Sequence, residues 1–301
     1  MLFSKAEIPT PQEQLKFLKH IQQILQSGTF TSTYKFALLM SITRLAIEQG
    51  KDTGATLHLD YHDIAEKFID LYWKQSLPFQ FNQYEPFTIH QSTGKQAKII
   101  SEIQNAQQQF KTLAALRKDV LYWNRLKRAV ATTVKQMPVV YLQNLNGQTV
   151  EFLYCLEDSK QSLKLLPKVM YCLRQFSEIV EELCQKRWID FVRLNKHNLV
   201  VLDGLPDLDE FMFAPSRNQL GRVADYLIDL QQYQCFYCGK SLKNSKYAVD
   251  HFIPWSLYPA DTGHNFVLAD EKCNSQKSNY LASQQFLHQW QERNHLHDQS
   301  I

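Results

Sequence analysis

Cys235 and Cys238 stand two residues apart, are followed at once by Gly239, and lie among turn-forming residues. No other feature constrains the fold of this 301-residue chain as tightly. Two thiols brought together around a glycine turn can grip one metal ion, and a segment organised by an ion needs only a small apolar core. Cys273, also in polar surroundings, is a third candidate ligand, whereas Cys155, Cys172 and Cys184 sit in apolar or amphipathic runs and read as small buried hydrophobes. The opening, MLFSKAEIPTPQEQ, turns polar after three residues and has no apolar signal core, and no run approaches 18 apolar residues. The expectation is therefore a cytoplasmic protein without a membrane span, whose cysteines serve metal rather than disulfides. A redox pair would call for a strand-to-helix setting that Cys235 and Cys238 lack.

Ahead of the knuckle the pattern is mainly helical. Gln12–Gln26, Thr33–Glu48, a stretch capped by Asp60, Gln96–Phe110 and Leu113–Val134 each carry apolar residues near helical spacing. At Pro138 the character changes. Val139–Gln143 and Thr149–Tyr154 are β-prone and flank Asn146-Gly147, which predicts a hairpin. One long amphipathic helix is expected over Lys168–Leu194, a linker over Asp203–Pro215, and a further helix over Ser216–Leu230. Glycine, at 9 residues, is too scarce for glycine-rich phosphate loops or all-β repeats. The reading is an α+β chain in three parts. These are residues 1–137, helical; 138–204, a hairpin and long helix packed on the first part; and 216–301, a small C-terminal module.

Within that module Lys246–Val249 reads as a strand leading into Asp250-His251, with Pro254 ending it. A loop through Pro259 and Gly263 returns to a second strand, Asn265–Leu268, and Cys273 opens a final helix with Asn274 and Lys277 on one face. This order resembles the HNH endonuclease family, whose compact ββα-metal fold holds one catalytic cation. The likeness runs from Cys235 to roughly Ser283 and rests on four elements in order. They are the C-x-x-C, a D-H-x-x-P step, an asparagine heading the second strand, and a C-N-x-x-K ending.

The resemblance implies hydrolysis of phosphodiester bonds. It casts His251 as general base, an imidazole being suited to proton transfer near neutrality. Asp250 and Asn274 would hold Mg²⁺ or Mn²⁺. Asn265 would brace the loop and orient the base, and Lys277 would contact phosphate or neutralise charge. Related sequences carry a second C-x-x-C before the last motif residue; here Asp270 stands where its first thiol would be. Two readings stay open. Either Cys235, Cys238, Asp270 and Cys273 hold a structural Zn²⁺, contributing on the order of 10 kcal/mol to folding, or the cysteines merely pack. His264, His288, His295 and His297 read as loop, helix and tail residues. Trp255, Tyr233, Phe236 and Tyr237 read as packing.

The formal net charge of +3 says little about partners, but its distribution says more. Between Ser92 and Gln136 nine basic residues face two acids, whereas from Pro215 onwards eight basic residues balance eight acids. Arg117, Lys118, Arg125, Lys127 and Arg128 form a stripe that can follow a phosphate backbone, or equally a solvated helix face. The expectation is a DNA endonuclease, of the kind found in bacterial restriction and anti-phage systems, with RNA as an alternative substrate. A competing reading is a non-catalytic nucleic-acid-binding or scaffold protein with a vestigial zinc knuckle. The first 200 residues could also receive a protein partner or an activating ligand.

Overall fold

Helices account for most of the N-terminal two thirds. The computed structural model describes residues 7–27, 30–79, 86–145, 147–199, 208–213, 217–254, 257, 263–278 and 280–296. Among these, no helix is long and apolar enough to cross a membrane. The chain divides into two compact units, Met1–Ala214 and Pro215–Ile301.

The first unit is built around α2 (Tyr34–Gln49). Its sequence suggests one apolar stripe, yet the helix is buried almost all round. Ser41 and Thr43 tolerate that burial because each hydroxyl donates to a carbonyl one turn earlier, Ala37 and Leu39. Around it lie α1 (Pro11–Ser27), α3 (Tyr61–Gln75) and α4 (Lys98–Gln109). The carboxylate of Asp60 accepts the N–H of His62 at 2.6 Å and so caps α3, as expected from its position. A buried polar network threads the core. Thr33 Oγ1 lies 2.6 Å from Tyr72 Oη, and Gln91 Oε1 accepts from Thr33 at 3.0 Å and from Trp188 Nε1 at 2.8 Å.

Several elements differ from the sequence pattern. The helix expected over Leu113–Val134 is two, α5 (Leu113–Lys118) and α6 (Val120–Gln136). Asp119 interrupts it, because its side chain accepts the Tyr122 N–H at 3.0 Å and starts the second helix. The hairpin is shorter than expected, with only Asn144–Leu145 (β2) pairing with Gln148–Thr149 (β3). Pro138–Tyr141 forms one helical turn, α7, with proline at its start. What a strand partner would have supplied to Phe152 and Leu153 comes from the buried amide of Gln143, whose Oε1 accepts both N–H groups at 2.9 and 2.7 Å. Asn146 lies outside the described residues; Gly147 has φ +84°.

Leu57–Leu59 (β1) pairs antiparallel with Leu163–Leu165 (β4), a partner about a hundred residues away that the sequence pattern does not flag. The long helix expected over Lys168–Leu194 is broken at Phe176 into α8 (Val169–Gln175) and α9 (Ser177–Leu194). Part of the expected linker is helical. In α10 (Leu208–Phe213) Leu208 and Met212 are buried in the first core, and Gln75 donates to the Met212 carbonyl. Residues 203–207, 214 and 215 lie outside the described residues.

The second unit opens with α11 (Arg217–Leu230). Tyr247–His251 (β5) and Phe266–Asp270 (β6) then pair antiparallel, with Asp250 opposite Val267 and His251 opposite Phe266. Two helices follow, α12 (Glu271–Lys277) and α13 (Gln284–Leu296). Two strands and then a helix is the ββα order.

Candidate active site

The knuckle is a tight turn. Gly239, at φ +69°, donates its N–H to the Cys235 carbonyl at 2.9 Å, and Cys235 N–H bonds to the Lys240 carbonyl at 2.9 Å. The sulfurs of Cys235, Cys238 and Cys273 lie within 4.8 Å of one another, so these three can hold one metal ion. Burial opposes ionisation of Cys235, but N–H groups converging from Asp270, Cys238 and Tyr237 outweigh it and lower that thiol's pKa. Cys273 moves the other way, to about 12, through burial first and then its closeness to the other two sulfurs. A soft trio of this kind suits zinc rather than a hard cation.

Asp270 stands outside the group of three sulfurs that lie within 4.8 Å of one another. Its carboxylate caps α12 by accepting the Lys272 N–H at 3.0 Å and faces Lys240 Nζ at 3.3 Å, while its own N–H donates to Cys235 Sγ at 3.2 Å. The carboxylate that the D-E-K-C spelling offers as a possible fourth ligand caps a helix here. The helix begins at Glu271, two residues before Cys273, because the cap sits there.

Asp250 and His251 end β5. Asp250 is 8% exposed, and its carboxylate is held from two sides. The Tyr237 hydroxyl donates to Oδ2 at 2.6 Å, and Lys277 Nζ lies 3.2 Å from the same oxygen. Burial, then that carboxylate, pushes the Tyr237 hydroxyl far above the usual tyrosine range, so it stays a donor. Lys277 also donates to the His251 carbonyl at 2.8 Å, and its side chain is only 7% exposed. It is packed against the strand end and pairs with Asp250. His251 is half-buried, its ring 4.7 Å from that of Phe266.

Asn265 is 1% exposed and grips the chain beyond the strand. Its Oδ1 accepts the Ile253 N–H at 2.8 Å, its Nδ2 donates to the Ile253 carbonyl at 2.9 Å, and its own carbonyl accepts from Phe252. Asn274, half-buried, lies in α12 beside Cys273. Trp255 and His297 lie outside the described residues.

Three contributors are not evident from the sequence. Tyr237 passes for packing because an aromatic beside a cysteine usually is. Trp290 and Arg293, on the polar-looking α13, donate to the His264 carbonyl at 2.8 and 2.7 Å, and Arg293 also reaches the Phe266 carbonyl at 2.7 Å. Burial lowers the Arg293 pKa to about 10. A tryptophan and an arginine three apart on one helical face is the signal that points to them.

In the first unit the basic stripe divides. Arg117 pairs with Asp70 at 2.7 Å and Glu66 at 3.2 Å, Lys127 lies 3.7 Å from Glu66, and both cations sit 5.4 Å from the Trp123 ring. Lys118, Arg125 and Arg128 are exposed.

Comparison with protein families gives two matches. A family described as a domain of unknown function, DUF8808, matches residues 14–201, and one described as HNH endonuclease matches residues 235–283. No curated protein and no solved structure gave a match.

Proposed function

Because the chain belongs to the family of the DUF8808 domain, whose match spans more than half of it, and ends in a module of the HNH endonuclease type, we propose that it hydrolyses phosphodiester bonds in DNA. The observation that carries this reading is a buried carboxylate, Asp250, held in place by Tyr237 and Lys277 beside the half-buried imidazole of His251. In the proposal His251 is the general base and takes the proton of an attacking water. Asn265 is a positioning residue: by clamping Ile253, two residues past His251, it limits where the imidazole can point. Lys277 balances the charge of Asp250 and holds its orientation.

The oxygen donors of Asp250 and Asn274 fit a hard divalent cation, Mg²⁺ or Mn²⁺, and are the residues that would hold it. When bound, that ion supplies charge neutralisation at the phosphate and stabilisation of the leaving 3′ oxygen. Cys235, Cys238 and Cys273 would hold a structural Zn²⁺. Lys118, Arg125 and Arg128 are assigned to the DNA backbone.

The test is cleavage of supercoiled plasmid with Mg²⁺ or Mn²⁺, with and without EDTA, beside His251→Ala. EDTA should abolish cleavage, and the variant should lose roughly 100- to 10,000-fold in rate. Equal cleavage by the variant removes His251 from its role. Cleavage of RNA in preference to the plasmid moves the substrate, and cleavage of neither leaves a nucleic-acid-binding protein.

A further inference from the structure

Lys35, on the first turn of α2, is 8% exposed, and its ammonium has no carboxylate partner among the described residues. What it does meet is the Phe30 ring, 5.3 Å away. Most of this side chain is enclosed, and that burial lowers the pKa of its ammonium, which with no carboxylate beside it among the described residues is open to an anion. The side chain lines a cavity of about 430 Å³. That volume falls within the range that encloses a small organic ligand.

The remaining walls have complementary chemistry. Tyr34, Met137, Pro138 and Tyr141 supply aromatic and apolar surface. Thr31, Ser32 and Asn144 also line the cavity, and their side chains have no protein hydrogen-bond partner among the described residues. One cation on a largely enclosed side chain, flat apolar faces and several polar residues with no side-chain hydrogen bond among the described residues together match an anion carried on a hydroxyl-bearing ring system. Phosphate is the anion a lysine point charge serves well. Tyr141, 48% exposed, stands where a planar group can stack as it enters.

We infer that the cavity between α2, α7 and the β2–β3 hairpin is a binding site for a nucleoside monophosphate, with Lys35 taking the phosphate and Tyr141 the base. The site belongs to the first unit and is independent of the nuclease reading. Its occupant would tie the short hairpin and α7 to the central helix of the core.

Calorimetric titration of the full chain with adenosine 5′-monophosphate, without added Mg²⁺ or Mn²⁺, tests the inference. Saturable binding is expected, with adenosine and inorganic phosphate each binding at least about ten-fold more weakly because each lacks half the recognised chemistry. Lys35→Met should weaken binding by about ten- to a hundred-fold, because it removes a charge-assisted hydrogen bond to the phosphate. Its thermal melt should not fall, since an apolar chain of similar length replaces one that is largely enclosed and has no carboxylate partner among the described residues. If that variant fails to fold, Tyr141→Ala, at an exposed rim position, decides through an expected loss of about five-fold or more. Absence of saturable binding up to about 10 mM overturns the inference. So does binding of inorganic phosphate as tight as that of the nucleotide, or affinity unchanged in both variants.

Discussion

Asp270 accepts the Lys272 N–H, faces Lys240, and offers its own N–H to Cys235, so one residue starts α12 and supports the knuckle. If its work is capping, Asp270→Asn should keep zinc at one ion per chain, since asparagine caps about as well as aspartate. Cys273→Ser should lose the metal. Zinc analysis of the purified variants decides, and loss of zinc from Asp270→Asn would make the carboxylate a ligand after all. The spelling D-E-K-C could not separate these roles, because a cap and a ligand both want an oxygen at a helix start. Lys277 presents a similar case at the other end of the same helix. Its pair with Asp250 is enclosed, at 7% and 9% side-chain exposure. Lys277→Met should therefore cost the C-terminal unit about 3–5 kcal/mol by stranding a buried carboxylate, with Asp250→Asn in the same chain recovering much of it. Denaturant unfolding of the two variants measures both, and a double variant no more stable than the single would show the pair to be incidental.

Elements carry a different kind of information, and there the sequence was legible wherever one apolar face meets one core. α1, α2, α3 and α4 appear close to where their periodicity puts them. Breaks were not legible when made by residues common inside helices: Asp119 ends one helix and caps the next without any proline or glycine. Nor was the shortened hairpin, because β-prone Val139 and Val140 follow a proline that starts a helical turn, and the amide of Gln143 meets the backbone that a strand would have met. The β1–β4 pair depends on a partner about a hundred residues away, which no local pattern reveals. The basic stripe on α5 and α6 shows what this means for function. Arg117 and Lys127 are bound to Glu66, Asp70 and Trp123, and so brace α3 against α5 and α6. Replacing Lys118, Arg125 and Arg128 together by alanine should weaken DNA binding with the fold unchanged. The slope of log affinity against log salt should flatten by about 0.9 for each phosphate no longer neutralised. Arg117→Ala should lower thermal stability instead. An unchanged salt slope in the triple variant would remove the stripe from DNA recognition.

At the scale of the molecule the two units rest on different foundations. The first has one continuous apolar core running from Phe17 to Met212, closed by Trp188, Tyr72 and Tyr154 at essentially no exposure. The second, among the described residues, has two small clusters. One gathers Leu227, Leu242, Phe266 and Leu268, and the other Phe236, Phe252 and Val267. Cores that small seldom hold a fold unaided. Zinc at Cys235, Cys238 and Cys273 would add on the order of 10 kcal/mol, comparable with the whole stability of an ordinary domain at about 5–15 kcal/mol. The same four-part motif that made the nuclease likeness readable in the sequence therefore also marks the stability of the unit that carries it. Heating the full chain should show two transitions. A strong zinc chelator should abolish one of them and leave the other, from the first unit, unmoved, as followed by calorimetry and by far-ultraviolet circular dichroism. Because β5 and α12 carry Asp250, His251 and Asn274, the chelated protein should also lose plasmid cleavage, and restoring Mg²⁺ without Zn²⁺ should not recover it. If both transitions survive chelation, the three sulfurs only pack, and the unit is held by its apolar packing.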